Sequence, residues 1–139
     1  MLHRLPDWPT RLDNFLRARA TVPFAWGAND CVTFAAHAVL AITGVDPLHD
    51  HRGKWASGSQ ARAYLDTSLA DAAARTLALF AAQQIPIAFA RRGDVGLTAG
   101  NVCGDTFCVR IADRWVGPGE DGMVTVEPPR LAWAIGWDR

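Results

Sequence analysis

Long apolar runs are missing from this 139-residue chain. No stretch approaches the ~20 residues that a spanning helix needs, which excludes a membrane span. Net charge is missing as well, because 14 Lys and Arg balance 14 Asp and Glu. No overall field draws such a chain onto nucleic acid or an anionic surface, so nucleic acid is not an expected partner. The opening MLHRLPDWPTRLDNF lacks the charged start and apolar stretch of a secretory signal, and the expectation is a protein made in the cytoplasm without a signal peptide. Cysteine is scarce. Its three copies have neither the spacing of a zinc site nor the density of a disulfide scaffold, which suits a reducing compartment. Histidine is absent after His51. The glycine cluster at 117–122 lacks the Gly-Lys-Ser/Thr ending of a phosphate loop, so neither cofactor nor metal is expected.

What is present reads as one domain over 1–139, since a chain of this length fits a single core. Its helical part runs over about 8–84 and its sheet part over about 93–137. The segment from Trp8 to about Arg19 sets Leu12, Phe15 and Leu16 on one side after a Pro-Thr start, the pattern of an amphipathic helix. Pro23 and Gly27 break it. Asp30 then stands where an N-cap belongs, and Cys31 opens a second helix that carries Phe34, Ala35, Ala38, Val39 and Ile42 until Gly44 and Pro47 stop it. Ser57 or Ser59, and later Ser68, can cap two further helices. After Pro86 the chain turns to short β-branched and aromatic runs, GDVGLT, TFCVRIA, RWVGPG, MVTVEP and LAWAIGW, which predict a small, mostly antiparallel sheet. Helices first and strands last give an α+β fold.

Chemistry concentrates at FAWGANDCVTFAAHAV, residues 24–39. A cysteine at a helix N-terminus is a candidate nucleophile, because unpaired N–H groups and the helix dipole favour negative charge there. The same cysteine also fits a role as a small buried hydrophobe. A nucleophile needs a base, most often a histidine held by a third polar group. His37 lies six residues on, roughly 120° around the helix and about 9 Å along it, and is badly placed. His49 and His51, in the loop LHDHRGKW, are the remaining candidates, although a loop histidine is ordinarily solvated. His49, Asp50 and His51 alternate faces if extended and form no metal cluster. Cys103 and Cys108 flank the turn-like GDTF and can face each other in a hairpin, as a disulfide or as two thiols. The six tryptophans, at 8, 26, 55, 115, 133 and 137, can either line a groove or pack a core.

WGANDCVTFAAHAVLAITG, the downstream RGKW, RRGDVGL and the final glycine-rich strands resemble a phage-tail branch of the NlpC-type cysteine peptidases. The resemblance runs over nearly the whole chain and implies a papain-like fold. It also implies a Cys nucleophile after an Asp, a Gly-Asp pair leading into the sheet and a base His on the next strand. Cys31 after Asp30, and Gly93-Asp94, match the first two. The implied activity is cleavage of amide bonds in peptidoglycan stem peptides, and the implied partners are other phage tail proteins, which would place the chain in a virion. The third element departs from the pattern. Thr106 or Phe107 stands where the His belongs, and neither accepts a proton from a thiol as imidazole does. General-base activation is worth about 10²–10⁴-fold.

Three readings stay open. The first is a structural tail-tip or tail-assembly protein with a degenerate site. The second is a working hydrolase that uses Cys31 with His49, His51 or a carboxylate such as Asp105 as base. The third is a binding module that holds a peptide or glycan without cutting it.

Overall fold

The computed structural model describes residues 1–100 and 105–137. Four helices come first: α1 (Trp8–Arg19), α2 (Cys31–Thr43), α3 (Gly58–Leu65) and α4 (Leu69–Leu79). Six strands follow: β1 (Gln83–Ile85), β2 (Val95–Ala99), β3 (Asp105–Arg110), β4 (Trp115–Gly119), β5 (Gly122–Val126) and β6 (Leu131–Ala134). They form one sheet in the order β1-β6-β2-β3-β4-β5, with every pairing antiparallel. The fold is α+β, as helices followed by turn-punctuated strands imply. One boundary moves: Gln83 and Gln84, expected at the end of the helical part, pair with Trp133 and Ala134 as an edge strand.

α2 is the central helix because it has almost no polar face. Nine of its 13 residues are buried, the pattern of a helix packed on more than one side. α1 covers it through Phe15, whose ring lies 5.1 Å from that of Phe34. Beneath it the sheet presents alternate residues, as a two-residue side-chain period requires. Val95, Leu97, Phe107, Val109 and Trp133 face the helices, while Cys108, Trp115, Ala132 and Ala134 join Ile85 on the far face. Trp115 and Trp133 are thus core residues rather than groove residues. Cys108 is a fully buried free thiol, and burial pushes its pKa up to about 12. Cys103, the other member of the disulfide-or-two-thiols alternative, lies outside the described residues.

A second structural centre is Asp94, the acid of the Gly-Asp pair. Its Oδ1 accepts from Ile135 N (2.9 Å), Trp137 Nε1 (2.7 Å) and Arg4 Nη2 (3.2 Å), and its Oδ2 accepts from Arg91 N (2.8 Å). Burial raises the Asp94 pKa in spite of those donors. Arg4 lies between two indoles, 4.2 Å from the Trp8 ring and 4.0 Å from that of Trp137, and also donates to the carbonyls of Arg92 and Ile135. Burial brings its pKa down to about 10. Gly-Asp therefore acts here as a knot that ties the N-terminal segment and the residues after β6 to the start of β2. No helix among the described residues is long and apolar enough to cross a membrane.

Candidate functional site

The site is built on the turn that leads into α2. Gly27 adopts φ +80°, and a Cβ there would lie 2.3 Å from the carbonyl oxygen of Trp55. Only glycine admits both the backbone angle and that approach. The tight passage lets the chain reverse so that Asp30 caps α2. Asp30 Oδ1 accepts from Thr33 N at 2.8 Å, and Thr33 Oγ1 accepts from Asp30 N at 2.9 Å. This is a reciprocal capping box with threonine in the role usually taken by Glu or Gln. The other oxygen, Oδ2, accepts from Gly27 N at 2.8 Å and Trp55 Nε1 at 2.7 Å. Asp30, 1% exposed, is thus a fully engaged structural acid.

Cys31 follows as the first residue of α2, 4% exposed. It stands between two hollows. On one side lies a cavity of about 410 Å³ bounded by α2, α3, α4 and the sheet, to which Trp26, His51, Trp55, Tyr64 and Phe107 contribute with Cys31. On the other is a more polar hollow lined by Thr98, Thr106, Glu120 and Glu127, again with Cys31. The two residues standing where the resemblance places a histidine, Thr106 and Phe107, therefore take one hollow each.

The candidate bases are distributed unequally. His49 is exposed in the loop after α2 and lines neither hollow. His51 reaches the cavity, where its Nδ1 lies 2.7 Å from the hydroxyl of Tyr64 and the two rings stack edge to face at 5.9 Å. Asp105 is paired with Arg130 at 2.6 Å and lines neither hollow. His37 points away towards Arg19, with 3.1 Å between Nδ1 and Nη2. Burial, helped by the charges of Arg52 and Arg19, lowers its pKa. Among the described residues no group of three His, Cys, Asp or Glu side chains is gathered to hold a metal ion.

The matched region covers both hollows and the knot at Asp94. The chain belongs to the family described as Domain of unknown function DUF6950, whose profile matches residues 3–137. No curated protein and no solved structure matches the chain.

Two aromatic residues complete the site: Trp55, one of the six tryptophans that the sequence left open between groove and core, and Tyr64, for which the sequence suggested no site role. Trp55 anchors the loop before α3 onto the cap of α2 through its indole. Tyr64 takes up the imidazole of His51 and stacks on Trp55, with 5.5 Å between ring centroids. A tryptophan just before a Ser-capped helix and a tyrosine in its last turn are weak signals, since such aromatics most often pack a core. Only the tertiary fold distinguishes them from core residues.

Proposed function

We propose that this protein is an NlpC-type, papain-like domain whose hydrolytic site has degenerated, serving as a structural component of a phage tail tip or tail-assembly machinery. The observation that carries the loss of hydrolysis is Phe107, a phenyl ring in the wall of the cavity that holds Cys31. A hydrocarbon ring there gives the thiol no proton acceptor. The helix N-terminus that would stabilise a thiolate already has an acid, Asp30, bonded to the Thr33 amide of its first turn. The tail assignment rests on the ordered motifs around Cys31, RGKW and Gly93-Asp94.

The test is alkylation of Cys31 by iodoacetamide across pH, mapped by peptide mass spectrometry with Cys108 as internal control, together with digestion of purified peptidoglycan. The expected result is slow labelling without a plateau well below the ordinary range of a thiol, and no new amino groups released from peptidoglycan. A fast low-pH plateau with amide cleavage overturns the reading. Mass spectrometry of purified particles tests the location, and particles lacking this chain would remove a virion role.

A second reading, an active hydrolase, has one specific observation in its favour. His51 lines the same cavity as Cys31, and Tyr64 could hold its ring in the role of the third group. Loss of peptidoglycan cleavage in both Cys31→Ala and His51→Gln would establish it.

A further inference from the structure

The hollow beside Cys31 is a cleft that opens to solvent beside the exposed Tyr64, Arg75 and Leu79. It measures about 410 Å³, within the range of about 300–1,000 Å³ of small-ligand sites. Its emptiness is written in alanines. Ala36 of α2, Ala61 of α3 and Ala73 of α4 all line it, so three helices that pack around one space each contribute a methyl group where a longer side chain would fill it.

The polar groups are arranged just as unequally. The Asp30 carboxylate is saturated by its own turn and by Trp55, and His51 is engaged by Tyr64. Arg75 is different. It is exposed on α4, contributes to the cavity lining, and no carboxylate among the described residues pairs with it. Leu79, four residues later and therefore on the same helix face, also lines the cavity while leaving 83% of its surface in water. An exposed leucine beside an unpaired guanidinium, at the edge of an apolar space, forms a rim with one cationic point and one greasy step.

The geometry points to a binding site for a single-chain anionic amphiphile, an aliphatic carboxylate whose tail enters the cavity past Leu79 and whose head group pairs with Arg75. Each methylene taken from water into such an apolar space favours binding. Arg75 gives the orientation through a charge-assisted pair. The inference concerns the cavity of the proposed degenerate site and rests on the reading that Cys31 does not cut. The ligand chemistry is nonetheless read from the alanines, Leu79 and Arg75, not from the cysteine.

The test is calorimetric titration of the whole protein with sodium dodecanoate and with 1-dodecanol, both below the concentration at which they aggregate. Saturable binding of one dodecanoate is expected. In Arg75→Glu, on the exposed face of α4, dodecanoate should weaken at least tenfold while dodecanol changes less than twofold. In Ala36→Phe, which fills the space, both should be lost while the circular dichroism spectrum is retained. No saturable binding of either compound overturns the proposal. So does an equal effect of Arg75→Glu on both, or co-flotation with phosphatidylglycerol vesicles in the absence of dodecanoate binding, which would assign the rim to a lipid surface. Release of alcohol from a dodecanoate ester with acylation of Cys31 would instead overturn the non-hydrolytic reading and leave the ligand class standing.

Discussion

The indole N–H of Trp55 is donated to Oδ2 of Asp30 across 2.7 Å, so a residue of the loop before α3 completes the cap of α2, 25 positions away. Because the acceptor is buried and acidic, the bond belongs to the stronger class, worth about 1.5–3 kcal/mol. Trp55→Phe keeps an aromatic ring but removes the donor, and urea denaturation should show a loss in that range. Gly27→Ala should cost at least as much, because it places a Cβ against the Trp55 carbonyl and demands a positive φ from alanine. Stability within 0.5 kcal/mol of the parent, an order-of-magnitude threshold for surface substitutions, would show that the cap does not depend on this turn.

Phe107→His would place an imidazole in the cavity wall that Cys31 shares. Burying a polar ring for a hydrocarbon one costs roughly 1–3 kcal/mol, so the variant should be less stable but folded. Its Cys31 should alkylate faster and at lower pH than in the parent chain. An unchanged pH profile would mean that position 107 is not where a base must stand.

Cys108 makes stability fall with rising pH. Its folded pKa, pushed by burial to about 12, exceeds the ordinary 9.0, so between those values the folded state binds more protons than the unfolded one. The thiol's contribution is therefore complete below about pH 9 and is lost progressively as the pH rises towards the folded value, with a limiting slope near 1.4 kcal/mol per pH unit. Denaturation series from pH 8 to 10.5 should show that decline in the parent chain and a flatter one in Cys108→Ala. Parallel curves would refute it.

Arg4 and Asp94 should be strongly coupled. Removing one partner of a buried pair leaves an uncompensated charge, at a cost of about 3–5 kcal/mol. Arg4→Met should therefore be severely destabilising, while Arg4→Met combined with Asp94→Asn should lose much less than the sum of the two single changes. Additive losses in the double-mutant cycle would show that the two side chains act separately.

Much of the fold was legible because its signals are local. Asp30 before an apolar helical pattern, Gly44 after it, and Ser57 and Ser68 at later helix starts are capping chemistry, and the helices begin and end there. Five of the six strands coincide with the β-branched runs after Pro86. β1 was not legible, because a three-residue edge strand reading Gln-Gln-Ile is defined by its pairing with β6 and not by any pattern of its own. The site was half legible. Cys31 and Asp30 are neighbours in sequence, so their joint placement at a helix start follows from capping alone. Which loop histidine reaches the cavity, and whether the Gly93-Asp94 acid serves catalysis or architecture, depend on contacts over long sequence separations. The cavity was hidden for a different reason: alanines at spaced positions read as helix formers and as small core residues, and only the packing of three helices around one point turns them into a space.

The knot at Asp94 also has a mechanical meaning. Arg4 on one side and Ile135 and Trp137 on the other are fastened to the same carboxylate, so tension applied at residues before Arg4 and after Trp137 loads this clasp before it reaches any strand pair. Between Arg4 and Asp94 the chain is thus closed into a loop that contains all four helices and the space beside Cys31.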